Sequence, residues 1–183
     1  MSLVEITPAS HDVRIDLKYA TADNFTGKPV YRKGARCYLH TEAAEKLANA
    51  VTLAKTQGYR FIIYDAFRPT EAQWKLWEHT PDPHFLADPR KGSPHSRGAA
   101  VDLVLCHYDF TPLDMGTAFD AFDVRSHHAR LDVHAEAQRN RLLLMGIMTS
   151  AGWDFYRNEW WHYQLPNTGM FSLLEKDWGI MAT

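Results

Sequence analysis

The chain has 183 residues, of which 45% are hydrophobic and 23% charged, a composition typical of a globular domain that excludes disordered and fibrous proteins. The formal net charge of -2 offers no basic surplus, so we expect no nucleic-acid partner. Ten histidines against two cysteines disfavour a disulfide scaffold or a cysteine-rich zinc module, and they leave histidine available for metal binding or acid–base chemistry.

The N-terminus and the apolar runs give no indication of a membrane protein. Residues 1–8 contain Glu5 and lack the basic and apolar segments of a signal peptide, which favours a cytoplasmic protein, or a periplasmic one if a leader was removed. The longest apolar run, residues 142–148, is far shorter than the roughly 20 residues that a bilayer requires. We expect Cys37 and Cys106 to be reduced and to pack as small hydrophobic residues.

The N-terminal part of the chain predicts one short strand followed by a loop. Val13, Ile15 and Leu17 alternate with polar residues, as in a half-buried strand. Residues 19–34 have the Asp, Asn, Gly and Pro content of a loop. No repeat or flexible linker divides the sequence, so we predict one domain over residues 1–183.

The next segments predict two helices on either side of a strand. Thr41 is a candidate N-cap for a helix that continues to about Gln57, and a strand over residues 60–64 follows it. Thr70 and Gln73 fit the capping box of a second helix. The aromatic face predicted for that helix contains Trp74 and Trp77.

The second half of the chain predicts a long irregular segment, two strands and a helix. Residues 80–98 are rich in Pro, Asp, Gly and Ser, which is typical of a functional loop or lid. Residues 99–105 read as a strand, 136–151 as a helix and 159–165 as an aromatic strand. No Gly-rich phosphate loop follows any strand, so the order of elements predicts an α+β fold rather than a doubly wound sheet.

A histidine and an aspartate in the middle of the chain have the spacing of a metal site. His95 lies in the irregular segment and Asp102, seven positions later, lies in the predicted strand. Gly98 between them allows the backbone to turn closely enough for the two side chains to converge. They would supply two of the three protein ligands of an open catalytic zinc site. Taken alone, the pair favours a surface-loop histidine and a hydrogen-bonded core acid over a metal site.

A glutamate and a histidine interrupt the last aromatic segment. Glu159 and His162 are costly to bury there unless a metal ion or a partner compensates them. Side chains three positions apart on a regular strand face opposite sides of the sheet. We therefore predict that Glu159 lies on a turn or bulge at the start of the strand, which would turn its side chain towards that of His162.

Arg68 follows a strand and precedes Pro69, which favours an extended backbone. Its permanently charged guanidinium can donate to a developing oxyanion, and an ion pair with Asp65 is an equally good interpretation. A cysteine nucleophile at Cys106 with His107 beside it is poorly supported, because adjacent strand residues point apart and no third group orients them.

These segments contain two sequence motifs that are characteristic of a known protein family. The pattern Ser-x-His-x-x-Gly-x-Ala-x-Asp is met by Ser93, His95, Gly98, Ala100 and Asp102. The second hallmark is met by Glu159-Trp-Trp-His162. Further similar segments begin at Lys18, Asn24, Met115, Arg125 and Gln138. With these motifs the chain, from about residue 12 to 166, resembles the zinc D,D-peptidases of family M15, and in particular the D-alanyl-D-alanine dipeptidases of the vancomycin-resistance type.

The resemblance implies a fold, a cofactor and a substrate. The fold would be a single α+β domain of the hedgehog/D,D-peptidase-like type, with a small, mainly antiparallel sheet and flanking helices. One zinc ion per chain would be bound by His95, Asp102 and His162. Glu159 would act as general base and Arg68 as donor to the transition state. The dipeptide D-Ala-D-Ala would be hydrolysed to two D-alanine molecules, with its ammonium group held by Ser93, Asp120 and Tyr19.

Two alternatives share parts of this site. A D,D-carboxypeptidase or a peptidoglycan endopeptidase would use the same zinc ligands, but the segments of Asp120 and Tyr19 match the dipeptidases. A non-catalytic zinc domain would have no use for Glu159 or Arg68. We expect no membrane partner. Oligomeric state and physiological role, whether antibiotic resistance, recycling of wall peptides or D-alanine catabolism, stay open.

Overall fold

The computed structural model describes residues 3–181. Within this range the strands are β1 (Leu3–Ile6), β2 (Arg14–Ile15), β3 (Cys37–His40), β4 (Arg60–Asp65), β5 (Ala100–Cys106), β6 (Asp154–Phe155) and β7 (His162–Gln164). The α-helices are α1 (Pro8–His11), α2 (Thr41–Thr56), α3 (Thr70–His79) and α4 (Ala135–Ser150). Short 3-10 turns lie at Lys18–Ala20, His95–Arg97, Val124–Ser126 and Thr168–Met170.

The strands form one five-stranded sheet and one two-stranded sheet. The larger sheet has the order β2-β4-β5-β7-β6, in which only the β2–β4 pair is parallel. The smaller sheet is the antiparallel pair β1–β3. This arrangement confirms the α+β prediction with a mainly antiparallel sheet.

Burial of apolar side chains explains where the main elements pack. The buried face of α2 carries apolar residues at spacings of three and four, and it contacts both β4 and α4. Strand β5 is buried along its whole length. Asp102 is the only charged residue of β5, so the fold places one carboxylate in the middle of its central strand.

The starts of two helices differ from the prediction. The N-cap of α2 is His40, whose Nδ1 accepts from the Glu42 amide at 3.2 Å, rather than Thr41. Helix α3 begins after Pro69 without a side-chain cap, so the Thr70–Gln73 capping box is wrong. Of the predicted aromatic face, Trp74 is 39% exposed, whereas Trp77 is partly buried and packs against the core. The residues that α3 buries are Ala72, Gln73 and Leu76.

Two predicted strands are shorter than their sequence patterns, and the irregular segment is as predicted. The strand expected around Val13 to Leu17 is reduced to β2, and the strand expected over 159–165 is reduced to β7. Residues 80–94 contain no helix or strand.

In the described part of the chain no helix is long and apolar enough to cross a membrane. Cys37 and Cys106 are both free and buried, as expected.

Candidate active site

Three acidic and basic side chains form one row across the larger sheet. Asp65 of β4 pairs with Asp102 of β5, which pairs in turn with His162 of β7. A register shift between Ile63 and Asp65 makes this possible, because Tyr64 and Asp65 together oppose a single residue of β5. The bulge thereby brings Asp65 opposite Asp102.

His95 reaches this row from the 3-10 turn that precedes β5. The turn ends at Gly98, whose backbone is left-handed with φ 66°. A β-carbon on Gly98 would lie 2.6 Å from the Leu3 side chain and 3.0 Å from the backbone nitrogen of His40. Glycine is therefore required there by both conformation and space, although the atoms that exclude a β-carbon belong to Leu3 and His40 rather than to His95 or Asp102.

Three ligand atoms meet at one point. His95 Nε2 lies 3.1 Å from His162 Nδ1 and 3.3 Å from Asp102 Oδ1. The distance from His162 Nδ1 to Asp102 Oδ1 is 3.1 Å. Ligands at zinc-type distances in a tetrahedral site are separated by about 3.3 Å, so this triangle has the size of one face of such a site. The three side chains fit a zinc ion in both chemistry and spacing.

Each of the two histidines has an acceptor beside the ring nitrogen that faces away from the triangle. His95 Nδ1 is 2.7 Å from the Ala66 carbonyl oxygen, and His162 Nε2 is 3.1 Å from Gln164 Oε1. If each of these nitrogens donates its proton, the two nitrogens that face each other carry lone pairs. Such a pair at 3.1 Å is favourable only with a cation between them, as in metal sites whose histidines donate to a second acceptor.

The electrostatics of Asp102 describe the same site before a metal ion binds, when both histidines can donate to its carboxylate. Burial opposes ionisation of the carboxyl group, but the imidazoles of His95 and His162 hold its pKa well below the ordinary range. Asp102 is therefore an anion and can serve as a metal ligand.

Glu159 lies on the turn between β6 and β7, as predicted from its spacing to His162. Its Oε2 is 3.9 Å from His162 Nδ1, and its side chain is buried. Burial, with the charges of Asp102 and Asp120, raises the pKa of the Glu159 carboxyl well above its usual value. A metal cation bound beside it would favour the carboxylate form, which can take a proton and return it.

Arg68 is held rigidly at the edge of the row. Its Nε donates to Asp65 at 2.8 Å, and its Nη1 donates to Gln73 Oε1 at 2.8 Å. Its Nη2 lies 3.6 Å from Asp102 Oδ2. The ion pair with Asp65 considered above is therefore present, and it positions the guanidinium towards the metal-ligand triangle without excluding a donor role.

Asp120 and Tyr19 form a second polar pair near the triangle. The Tyr19 hydroxyl donates to Asp120 Oδ2 at 2.8 Å. Burial, together with the charge of Asp102 and against the hydrogen bond from Tyr19, raises the pKa of the Asp120 carboxyl to about 8. Ser93 is buried, and its hydroxyl oxygen accepts from the His95 amide at 3.2 Å. All three residues face the cavity described next.

A single cavity of about 290 Å³ brings the predicted residues together. Its lining includes all eight of them: Tyr19, Arg68, Ser93, His95, Asp102, Asp120, Glu159 and His162. Apolar residues of the irregular segment, including Phe85 and Leu86, close another part of the wall. Three carboxylates face one guanidinium, which already pairs with Asp65, so the cavity favours cations.

The sequence analysis did not identify several residues that support this site. Gln164 is two positions from His162 and so on the same strand face, a signal that the alternation of a strand could have provided. Gln73 connects Arg68 to the irregular segment, because its Nε2 donates to the Ala87 carbonyl oxygen at 2.7 Å. The Tyr31 hydroxyl donates to Asp65 at 2.8 Å. Neither contact has a local sequence signal.

The segment after Pro166, which carries no recognised motif, also contributes. The Leu174 amide donates to the Ser96 carbonyl oxygen at 3.0 Å, and the Arg97 guanidinium donates to the Phe171 carbonyl oxygen. Met181 forms a β-bridge with Tyr31. This segment thus packs on the turn that carries His95.

The cysteine nucleophile considered above is not supported. Cys106 is fully buried in β5, and burial raises the pKa of its thiol to about 11. His107 instead packs its ring against Tyr59. A buried thiol of raised pKa is a poor nucleophile.

Comparison with known proteins places this site in context. The model of an M15 peptidase family described as D-ala-D-ala dipeptidase matches residues 1–177. The D-alanyl-D-alanine dipeptidase of Escherichia coli K12 is 46% identical over 172 residues, covering 94% of this chain and 89% of the relative. That of Enterococcus faecium is 40% identical, covering 85% and 87%. That of Streptomyces coelicolor is 37% identical, covering 84% and 86%.

Similarity to solved structures is weaker. The vancomycin-resistance D,D-pentapeptidase VanY, in complex with Zn(II), aligns with a TM-score of 0.47 at 15% identity, covering 88% of this chain and 83% of VanY. The LdcB LD-carboxypeptidase aligns with a TM-score of 0.47 at 17% identity, covering 77% of this chain and 62% of LdcB.

Proposed function

The chain belongs to the D-Ala-D-Ala dipeptidase family of M15 metallopeptidases, and from this premise we propose that it hydrolyses free D-Ala-D-Ala with one bound zinc ion and Glu159 as general base. The observation that supports this most directly is the triangle of His95, Asp102 and His162 atoms beside the Glu159 carboxyl. A structural zinc site has no need for a base at this position.

Zinc would be held by the triangle atoms His95 Nε2, Asp102 Oδ1 and His162 Nδ1. When bound, zinc supplies Lewis-acid chemistry: it brings the pKa of water towards about 7 and polarises a carbonyl group. The Ala66 carbonyl oxygen and Gln164 keep the imidazoles oriented for this role.

The protein's own groups would move the proton and stabilise charge. The Glu159 carboxylate accepts a proton from the water that attacks the scissile carbonyl carbon. The Nη2 group of Arg68 donates to the oxygen that becomes negative. The carbon–nitrogen bond then breaks, Glu159 returns the proton to the leaving amine, and two D-alanine molecules depart.

Asp120 would select a dipeptide with a free N-terminus. Its carboxylate, hydrogen-bonded by Tyr19 within the cavity, suits an ammonium group, and Ser93 lines the same space. An acylated N-terminus carries no charge and would leave Asp120 desolvated and unpaired, which is costly. Longer peptides with blocked N-termini should therefore be poor substrates.

The test measures release of D-alanine by the zinc-loaded protein from D-Ala-D-Ala, L-Ala-L-Ala and N-acetyl-D-Ala-D-Ala, with and without a chelator. We expect hydrolysis of D-Ala-D-Ala only, and loss of it with the chelator. Comparable cleavage of the N-acetylated peptide would favour the D,D-carboxypeptidase alternative.

The role of Glu159 is tested in the same assay with Glu159→Gln. Removing the base should lower kcat by roughly 10²–10⁴-fold, while the variant still binds one zinc ion. The matched control is Glu45→Gln on the exposed face of α2, which should keep normal activity. Near-normal turnover by Glu159→Gln would show that another group is the base.

A further inference from the structure

The loop that carries Asp120 has little secondary structure of its own. This loop, residues 115–127 and here called the Asp120 loop, is part of the connection from β5 to α4 and contains only the 3-10 turn Val124–Ser126. Asp120 has a left-handed backbone with φ 56°. Aspartate adopts this conformation more readily than most residues other than glycine, and no helix or strand holds Asp120 here. The position of its carboxylate therefore depends on contacts elsewhere in the loop.

Arg141 of α4 joins the two ends of this loop. Its Nε donates to the Met115 carbonyl oxygen at 2.7 Å. Its Nη1 donates to the carbonyl oxygens of Arg125 at 2.7 Å and His127 at 3.1 Å. One rigid guanidinium thus bridges residues on both sides of Asp120, and a charged donor makes these bonds stronger than neutral ones.

Helix α4 holds the Arg141 side chain in a fixed position. Arg141 is 4% exposed and extends from the middle of a 16-residue helix. Gly116 lies close to that helix, since a β-carbon there would be 3.0 Å from the Ala137 β-carbon. A second contact comes from Trp160, whose Nε1 donates to Thr117 Oγ1 at 2.9 Å. The Trp160 backbone amide also donates to the Ser126 carbonyl oxygen at 3.1 Å, so Trp160 contacts both sides of Asp120, whereas Arg141 does so through one charged guanidinium.

We propose that Arg141 is a positioning residue for substrate recognition, which holds the Asp120 loop so that the Asp120 carboxylate meets the ammonium group of the dipeptide. The inference rests on the proposed role of Asp120 and adds a residue that touches neither substrate nor metal. Its effect should appear in binding of the free dipeptide rather than in the metal site, because the triangle residues lie on other elements.

The kinetic test compares Arg141→Lys and Arg141→Met with the matched control Arg139→Met, which changes an exposed arginine of the same helix. We expect kcat/KM for D-Ala-D-Ala to fall about 10–100-fold in Arg141→Met, mainly through KM, since small misplacements of positioning groups have effects of this size. Arg141→Lys should lose less, and Arg139→Met should stay within about twofold of the unmodified protein. Zinc content should be unchanged in all three.

A double-mutant cycle separates positioning from general destabilisation. If Arg141 acts through Asp120, then Arg141→Lys should change KM little in an Asp120→Asn background, because the group that it positions is already lost. If the two substitutions instead change KM by independent factors that multiply in the double variant, the proposal is overturned. A fall in kcat at constant KM would also overturn it. No change of KM in Asp120→Asn alone would instead count against the proposed function.

Hydrogen exchange provides a readout that needs neither activity nor substrate. In the zinc-loaded protein, Arg141→Lys should accelerate amide exchange across residues 115–127 and leave the β1–β3 pair unchanged, whereas Arg139→Met should change neither. Unchanged exchange in the Asp120 loop of a folded Arg141→Lys variant would overturn the proposal even if the protein proved inactive. Thermal unfolding of each variant establishes that it is folded.

Discussion

At the scale of single residues, the site depends on side chains whose protons are assigned by their neighbours. His95 and His162 each have an acceptor on the nitrogen that faces away from the triangle, and Asp102 is kept ionised by both imidazoles. The acceptor of His95 is a backbone carbonyl group, which no substitution can remove. The acceptor of His162 is Gln164, which can be changed.

We predict that Gln164→Leu weakens zinc binding by about 10–100-fold, because the His162 Nε2 proton loses its acceptor and the ring loses its orientation. Gln164→Glu keeps an acceptor and should bind zinc at least as tightly as the unmodified protein. Competition with a chromophoric chelator measures both affinities.

The control for this prediction is Gln57→Leu, the same change on an exposed residue after α2, which should leave zinc affinity unchanged. If Gln164→Leu binds zinc as tightly as that control, Gln164 does not orient His162. Loss of zinc by the control as well would indicate a general loss of structure.

At the scale of elements, short irregular segments determine which side chains meet. The bulge in β4 brings Asp65 opposite Asp102, and the turn between β6 and β7 brings Glu159 towards His162. The 3-10 turn before β5 brings His95 to the same point, and the C-terminal segment packs behind that turn through Leu174. The regular strands supply the row, and the irregular segments complete the site.

We predict that Gly98→Ala lowers both the thermal stability and the zinc affinity. The left-handed conformation costs about 1–2 kcal/mol for alanine, which corresponds to a fall in Tm of roughly 2–8 °C for a domain of this size. The added β-carbon also meets the backbone of His40 at 3.0 Å and should displace the turn of His95. Calorimetry and chelator competition measure the two effects.

The matched control is Gly58→Ala, since Gly58 is also left-handed, with φ 83°, but has no atom within 4 Å of an added β-carbon. The Gly58→Ala variant should be less stable only because alanine disfavours the left-handed conformation, and it should keep its zinc affinity. Equal zinc affinities in the two variants would mean that the close approach at Gly98 does not hold His95.

At the scale of the whole molecule, the cavity gathers more carboxyl groups than the protein alone keeps ionised. Asp102, Asp120 and Glu159 face one guanidinium, and two of these carboxyl groups have pKa values raised chiefly by burial. A bound cation would favour the ionised forms of these carboxyl groups. It would also connect β5, β7 and the turn of His95. Metal binding and folding stability should therefore be coupled.

We predict that zinc raises the thermal stability of the metal-free protein. At a free zinc concentration 100-fold above Kd the stabilisation is about 2.7 kcal/mol, or roughly 5–11 °C in Tm for a domain of this size. Scanning calorimetry after chelation, with and without added zinc, measures the difference. In His95→Ala the increase should disappear, and an undiminished increase there would place the zinc elsewhere.

The sequence by itself predicted the candidate chemistry and determined most of the architecture. The spacing of His95 and Asp102, the charged pair within the aromatic segment and the family motifs were sufficient to predict the residues of the site. Hydrophobic periodicity was sufficient for α2, β4, β5 and α4, because long apolar patterns reflect burial directly.

Only the tertiary structure decided which residues hold the side chains of the site in place. The bulge before Asp65, the use of Gln73 and Gln164, and the bridge from Arg141 to the Asp120 loop depend on contacts between residues far apart in the chain. Thr70 and Gln73 matched a capping box, yet Gln73 instead accepts from Arg68, because a buried guanidinium needs an acceptor more than an exposed helix start needs a cap. Local patterns identify which groups can react, and long-range contacts fix where each of them points.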